Sequence, residues 1–439
     1  MTRMPIPAPT AARDPLWWNL GITAVFAALV FAHLGTPSKI YFDEVHYVAA
    51  ARAMLNGVQA NPEHPLFAKS LIAWSIALLG DTPMAWRVPG ALCGVIGLFS
   101  FGRMVWWASG RRFASIAATV LLAGDFAWFV QSRIAMLDMV MAGFIMLALW
   151  MLSAAIALPR AVPPIARRWR LGVAGVAMGL SLGAKWSVLP VIALVLTVVL
   201  ATRLLAALRN WTGGVMVAPT PGIPTGELVL WMVVVPALTY WLTFVPGAFW
   251  HNNPVPMFHM IDWHQSMARL QASVTKPHPY QSVWWQWVIN QRSVWYLYEP
   301  VDGAQRGIML IGNPFIMIAG LPALIWCLYA GLARSDLAGR VAPLMTVALY
   351  GASLGLWLVA DKPVQFYYHY LLPGSFLVVA LALFLDALWR SGRDGRRAAL
   401  GALVLAVGVF AWFWPVLSAA PLDHGVMSFQ RWMWVPSWR

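Results

Sequence analysis

Charge is what this 439-residue chain has least of: Asp, Glu, Lys and Arg together make up 10% of it. Soluble domains carry about 25%, so most of this surface faces something other than water. That excludes a soluble α/β enzyme, and an apolar content of 60% excludes a disordered regulator. Cysteine is nearly absent. Cys93 and Cys327 each sit inside an apolar run, which gives neither a disulfide framework nor a metal-ligand spacing. Acids are scarce too, 16 against 30 basic residues, for a formal net charge of +14. Nucleic acid is one partner such a surplus suits, but basic loops on the cytoplasmic side of a membrane protein explain it more economically. No cleavable signal peptide is evident in the Pro-rich start, where Arg3 and Arg13 precede the first apolar run.

What is abundant is uninterrupted apolar sequence. Runs of about 18 residues or more, enough to cross a ~30 Å hydrocarbon layer as helix, recur from end to end. About eleven transmembrane helices are expected, near 16–35, 84–107, 113–130, 134–157, 171–185, 187–207, 228–250, 307–333, 341–360, 366–389 and 398–417. The apolar stretch 66–80 is too short to span and reads as an interfacial or re-entrant helix. Clusters such as PRAVPPIARRWR, APTPGIPTGE and RSGRDGRR are the connecting loops. The expected fold is an all-α integral membrane protein in three parts. Residues 1–250 form an N-terminal module whose first outer loop is 36–83, residues 251–306 a long outer loop after helix seven, and residues 307–439 a C-terminal module. The 27 tryptophans suit membrane interfaces. The Gly172, Gly175, Gly179, Gly183 stripe lets another helix approach closely; it is not a phosphate-binding loop, which needs a strand–turn–helix setting.

Orientation follows from the basic residues. With the N-terminus in the cytoplasm, that side holds Arg3, Arg13, Arg103, Arg111, Arg112, Arg160, Arg167, Arg168, Arg170, Arg203, Arg209, Arg334, Arg340, Arg390, Arg393, Arg396 and Arg397. These 17 face only five acids, Asp14, Glu227, Asp336, Asp386 and Asp394, and leave 13 basic and 11 acidic residues outside. The asymmetry obeys the positive-inside rule. All nine histidines fall on or near the outer side, as do the polar-aromatic segments 36–66 and 251–306. A transporter concentrates ionisable groups near the midplane between repeats. Ionisable groups gathered at one face suit an enzyme working at the extracytoplasmic interface.

Several residues there carry chemistry. Asp43 and Glu44 are adjacent, so on a helix they point in different directions; one can reach a reacting group while the other binds a neighbour. Equally, the pair can cap a short helix 44–55. In NPEHPLFAK, His64 and Lys69 lie near the start of the interfacial stretch, and Lys69 either meets a lipid phosphate or snorkels to the headgroups. Asp125, Arg133 and Asp138 are charges in or beside apolar runs, where charge is costly and marks function by default. The structural alternative is an Arg133–Asp138 ion pair joining two helices. Arg87 and Lys185 are isolated cations at the ends of spans, and four outer-side cations with few local acids suit an anionic ligand. His278 and Tyr280 stand in an aromatic-rich stretch that is either an interfacial belt or a groove for sugar or peptide. His369, in the Tyr-rich stretch 366–373, faces either lipid or a donor pocket.

The motifs FDEVH (42–46), HPLFAK (64–69), WRVPGALCG (86–94) and SRIAMLD (132–138) resemble, in order, those of the protein O-mannosyltransferase family. GAKW (183–186), HPYQSVWWQW (278–287), IGNPF (311–315) and FYYHYLLP (366–373) are similar to its later motifs. The likeness runs from about residue 41 to 390. Pro65-Leu66 stands where a double proline is more usual, and the long outer loop lacks the β-trefoil insertion of eukaryotic members, so the chain resembles a compact bacterial one. The resemblance implies a C-type glycosyltransferase fold in the bacterial cytoplasmic membrane. It implies transfer of mannose, with inversion, from a polyprenyl-phosphate-mannose donor to Ser or Thr hydroxyls of a secreted protein. It also implies that the first acid of the pair, Asp43, is the general base and that Glu44 is its partner. An alcohol nucleophile needs such a proton acceptor, and an ordinary carboxylate near pKa ~4 is already ionised at neutral pH.

The leaving lipid phosphate needs cations. Arg133 and Lys185 are the first choices, and Arg87 and Lys69 the second, because preorganised charge is worth most in a partly dry site. His64, Asp125, Asp138, His278, Tyr280 and His369 are expected to contact substrate. No cofactor or divalent metal is required on this reading, and no residue compels an oligomer. Two rivals stay open: the same chemistry on a glycolipid or polysaccharide acceptor, and a transporter of lipid-linked sugars, which the lack of an evident inverted repeat disfavours.

Overall fold

A chain inside hydrocarbon has to satisfy every backbone N–H and C=O within itself, so the long apolar runs become helices. The computed structural model describes residues 14–214, 216, 218–273, 275–360, 362–423 and 425–439; Arg3, Arg13 and His424 lie outside the described residues. The first half comprises α1 (Leu16–Phe31), α2 (Glu44–Leu55), α3 (Phe67–Leu79), α4 (Pro83–Ser109), α5 (Arg112–Ala123), α6 (Phe126–Gln131), α7 (Leu137–Ala157) and α8 (Ile165–Ala184). A 3-10 turn (Trp186–Val188) leads into α9 (Leu189–Trp211), followed by α10 (Thr225–Val229), a π turn and α11 (Val235–Leu242). After α12 (Met260–Ala272) and α13 (Trp284–Val288) come strands β1 (Val294–Val301) and β2 (Ala304–Leu310). The chain then forms α14 (Pro314–Ala333), α15 (Leu337–Val359), a 3-10 turn (Tyr367–Tyr370), α16 (Leu371–Arg390) and α17 (Arg393–Ser418).

Among the described residues, eight helical units are long and apolar enough to cross a membrane: α4, α7, α9, α10–α11, α14, α15, α16 and α17. The other three expected spans are helical but differ in detail. α1 has 16 residues, α8 carries Arg167, Arg168 and Arg170 in its first turns, and α5 has only 12 residues. At 1.5 Å per residue α5 rises about 18 Å. The continuous span expected at 113–130 is instead broken at Gly124-Asp125, where Asp125 accepts a hydrogen bond from the Trp128 N–H (2.9 Å) and starts α6. The stretch expected to be interfacial is α3, which packs against α2 and α4.

The glycine stripe does what its spacing indicates. A Cβ at Gly175 would fall 2.2 Å from the Trp231 carbonyl oxygen, and one at Gly179 2.5 Å from that of Pro236. α8 therefore lies directly on the α10–α11 unit.

One segment departs from the all-helical expectation. Residues 294–310 form an antiparallel hairpin, so the helix expected from 307 begins at Pro314, after an Asn313 cap on the Phe315 N–H. The turn is Asp302-Gly303, both at positive φ (51° and 75°), which is the type I′ geometry that Asp-Gly favours. The C-terminal residues hold the hairpin from behind. Ser293 Oγ and Trp295 Nε1 both donate to the Trp438 carbonyl, at 2.6 and 2.9 Å, and Trp438 Nε1 donates to the Asn290 carbonyl (2.8 Å).

Gly175→Val should lower the melting temperature in detergent, since overpacking a tight contact costs about 1–3 kcal/mol. Gly351→Ala, where a Cβ would meet nothing within 4 Å, should leave it unchanged or raise it.

Candidate active site

The segment between α1 and α2 is held in place by one buried ion pair. Glu44, fully buried, accepts from Arg87 Nε (2.8 Å) and Nη2 (3.0 Å) and from the Ala135 N–H (3.1 Å). The remaining N–H groups of Arg87 go to the carbonyls of Leu34 (3.1 Å), Pro37 (2.8 Å) and Lys39 (3.0 Å). This cluster ties the start of α2 to α4 and to the α6–α7 junction. All five guanidinium donors of Arg87 are thereby engaged, so it has none left for a phosphate. Glu44 is likewise engaged through both carboxylate oxygens.

Asp43 precedes α2 at the N-cap position, yet its side chain makes no capping hydrogen bond and its backbone (φ −70°, ψ −6°) is helical. Caps use extended backbone to aim their oxygen at the N–H groups; Asp125, with ψ 128°, does so. The Asp43 carboxylate is therefore free to face the site. Phe42, just before it, sits in the left-handed region (φ 49°). Its ring stacks on Tyr296 of β1 (4.1 Å between centroids) and meets Phe366 and Tyr368 edge-on (6.2 Å each). Burial pushes Asp43 up to about 6; Lys185 and His46 oppose the shift and Asp138 adds to it. The ordinary carboxylate expected from sequence is thus replaced by a stronger base, still mostly ionised at neutral pH.

Lys185 meets the acid. Both oxygens of Asp138 lie 2.8 Å from its Nζ, and the ammonium sits 4.8 Å over the Tyr368 ring. The Arg133–Asp138 pair weighed from sequence does not form. A narrow crevice opens beside Asp138, walled by Met141, Ser187, Ser353, Trp357, Tyr368 and His369. Two buried side chains near this site lack a hydrogen-bond partner among the described residues: the Tyr296 hydroxyl and Nε2 of His369. His64 is close enough to feel Lys185, Lys69, Lys362 and His46; burial first, then those charges, hold its imidazole well below its usual range and therefore neutral.

Other expected residues have different employment. Arg133 donates to the carbonyls of Leu29 (3.2 Å), Val30 (2.5 Å), Ala32 (2.8 Å) and His33 (3.2 Å), closing the C-terminus of α1, where orphan carbonyls and the dipole favour a cation. Its Nη1 is thereby committed to the end of α1. Lys69 neither snorkels nor faces a ligand: its Nζ donates to the carbonyls of Asn61 (2.5 Å) and His64 (2.9 Å), fixing the turn before α3. Asp125 caps α6 and is not among the residues that wall the crevice. His278 is exposed at the rim, its ring 5.1 Å from Phe366, and its Nδ1 accepts from the Tyr280 N–H (3.1 Å).

Two members of the site were not picked out from sequence. Lys362, ahead of the Tyr-rich turn, has no side-chain partner for its ammonium among the described residues; burial and then Lys185 push it down to about 8, against the pull of Asp138 and Asp43. Its signal was available as the lone cation in DKPVQFYYHY. Tyr296 was hidden by reading 251–306 as an aromatic loop, although the VDGA turn between VWYLYEP and QRGIML marks a hairpin. Among the described residues no group of three or more His, Cys, Asp or Glu side chains is placed to hold a metal ion.

Residues 84–252 match the family profile described as dolichyl-phosphate-mannose-protein mannosyltransferase, and residues 257–438 match the C-terminal four-transmembrane region of protein-O-mannosyltransferase. The polyprenol-phosphate-mannose–protein mannosyltransferase of Mycobacterium tuberculosis H37Rv is 30% identical, over 96% of this chain and 92% of its own length. The chain belongs to the protein O-mannosyltransferase family. A Corynebacterium glutamicum relative of the same name is 29% identical over 97% of this chain and 94% of its own. Within the family the fold is shared across kingdoms. The Saccharomyces cerevisiae Pmt1–Pmt2 structure, solved with its sugar donor, superposes with a TM-score of 0.79 at 14% identity over 99% of this chain and 95% of that one. ArnT from Cupriavidus metallidurans, bound to undecaprenyl phosphate, gives 0.58 at 16% identity over 92% and 77%. The fold is that of the C-type glycosyltransferases, and the protein is a multi-pass membrane glycosyltransferase.

Because folding raises the Asp43 pKa, the fold favours the protonated acid. That contribution is complete below pH ~4 and is lost as pH rises through about 6. Asp43→Asn, neutral throughout, should melt at the parent temperature near pH 4 and above it at pH 8, as measured by thermal unfolding in detergent.

Proposed function

We propose that this chain transfers mannose from a polyprenyl-phosphate-mannose lipid to Ser or Thr hydroxyls of a secreted protein, at the extracytoplasmic face of a bacterial cytoplasmic membrane. The observation that carries this reading is the Asp43 carboxylate, unpartnered and raised to about 6, beside cations and a hydroxyl-lined crevice. The names of the mycobacterial and corynebacterial relatives support the same donor and acceptor classes.

In the reaction, the acceptor hydroxyl attacks the sugar carbon as Asp43 takes its proton, and the bond to the phosphate oxygen breaks with inversion. A base with pKa near 6 gains proton affinity while staying ionised at pH 7. The departing phosphate gathers negative charge. Lys362 is the cation best suited to receive it, because Lys185 already shares its charge with Asp138 and the arginines are engaged with Glu44 and with carbonyls. Neutral His64 can donate a further hydrogen bond. The segment 251–306 forms the acceptor side: His278 and Tyr280 stand at the rim, while β1 supplies Tyr296 to the floor. No step needs a metal ion.

The test is transfer of radiolabelled mannose from a short-chain polyprenyl donor to a Ser/Thr-rich peptide, with label released by β-elimination. Asp43→Asn should lose at least about a hundredfold in turnover while still binding donor. In the parent, kcat/KM should climb with pH to a plateau above about 6. Lys362→Met should lose about a hundredfold. Label confined to lipid would move the acceptor to a glycolipid, and full activity in Asp43→Asn would overturn the mechanism.

A further inference from the structure

His369 is a buried imidazole whose tautomer the backbone decides. The Phe366 N–H donates to its Nδ1 (3.1 Å), so the ring hydrogen sits on Nε2. The ring is 4% exposed and stacks on Trp357 at 3.8 Å between centroids, which fixes its direction. Yet its Nε2 has no partner among the described residues, in a ring that lines the crevice. An N–H buried without an acceptor is costly, and the Phe366 N–H and the Trp357 ring hold the imidazole in the orientation that leaves it so.

The crevice has room for a group about the size of a water or a hydroxyl. Its polar wall presents one fixed donor, His369 Nε2–H, and fixed acceptors, the Asp138 carboxylate together with the oxygens of Ser187 and Ser353. Both Asp138 oxygens are engaged by Lys185, but a carboxylate keeps about two further lone-pair sites. A phosphate oxygen accepts from the imidazole but is repelled by Asp138. A hydroxyl accepts from one and donates to the other. The neighbouring Trp357 and Tyr368 rings supply the flat apolar faces that sugar C–H groups pack against.

We propose that this crevice receives one hydroxyl of the donor's hexose, with His369 Nε2 donating to it and Asp138 accepting from it, and that this contact sets the preference among sugars. The inference rests on the reading of the chain as a lipid-phosphate sugar transferase and adds a specificity-determining residue to it. Sites that pair a substrate hydroxyl reject the analogue lacking it, because their own buried groups are left unpaired.

The experiment uses the full chain in detergent with short-chain polyprenyl phosphates carrying mannose or each of its 2-, 3-, 4- and 6-deoxy forms, and measures kcat/KM together with donor binding by thermal shift. One deoxy donor should fall by roughly tenfold or more. His369→Ala should lower the parent donor to that level and leave that deoxy donor unchanged, and His369→Gln, whose amide nitrogen can replace Nε2–H, should restore the preference. Deoxy donors all within about twofold of the parent would overturn the proposal with no variant needed. So would an equal loss on every donor in His369→Ala. Sugar-free polyprenyl phosphate should bind that variant as it binds the parent; weakened binding would assign the imidazole to the phosphate and overturn the sugar contact. Donor binding with no transfer from any sugar would instead defeat the transferase reading, and the binding series would still decide the role of His369.

Discussion

The Glu44–Arg87 pair is the interaction on which the placement of α2 and of Asp43 depends. Both side chains are fully buried. Removing two charges from water costs several kcal/mol per ion, and mutual attraction offsets that only when the remaining lone pairs and protons are also satisfied. Here they are: the carboxylate takes two guanidinium bonds and a backbone N–H, and the guanidinium gives its other hydrogens to three carbonyls of the 34–39 turn. A cluster that complete has one geometry. It sets where α2 begins, and so where Asp43 points, one residue before the buried glutamate.

The same accounting separates structure from chemistry in the rest of the site. Sequence offers six or more charges in apolar surroundings, each a candidate ligand. In the fold most of them meet partners: Arg87 with Glu44, Lys185 with Asp138, Arg133 with the end of α1, Lys69 with two carbonyls, and Asp125 with its own helix. Among the described residues, four side chains from distant parts of the chain keep no partner and feel one another's charge or lie against the same rings: Asp43 and Lys362, which are half-buried, and Tyr296 and His369, which are buried. A buried polar group left unmatched is costly to keep, and a ligand that meets the Tyr296 hydroxyl and the His369 ring nitrogen would remove that cost.

This explains which features were legible in advance. The spans could be read because hydrocarbon permits few backbone solutions, so the apolar runs at 84–107 and 366–389 gave α4 and α16 within a few residues. The Gly172–Gly183 stripe correctly indicated a close helix contact. Asp43 could be singled out by chemistry and family likeness, but whether it capped its helix or faced the site turned on a ψ angle that composition does not carry. Partner choice was the least legible feature. Arg133 and Asp138 are five residues apart and a pair between them was one alternative, yet Arg133 meets the carbonyl end of α1 and Asp138 meets Lys185 at the end of α8. The hairpin was missed because its aromatics read as a membrane belt, although Asp302-Gly303 carried the turn chemistry.

The hairpin also shows why the two halves of the chain form one site. Phe42, just before α2, occupies a left-handed conformation (φ 49°) that costs an L-residue about 1–2 kcal/mol. The compensation comes from the C-terminal half, where Tyr296 stacks on the Phe42 ring and Phe366 and Tyr368 brace its edges. Aromatic pairs contribute about 0.5–1.5 kcal/mol each beyond burial, enough to offset the strain. Tyr296 in turn is fixed by a hairpin that the Trp438 segment grips. Asp43 therefore follows a residue whose conformation is braced by the C-terminal half of the chain. An acid aimed this way is held in place only when the two halves of the chain are folded against each other, because the rings that brace Phe42 come from β1 and from the turn before α16.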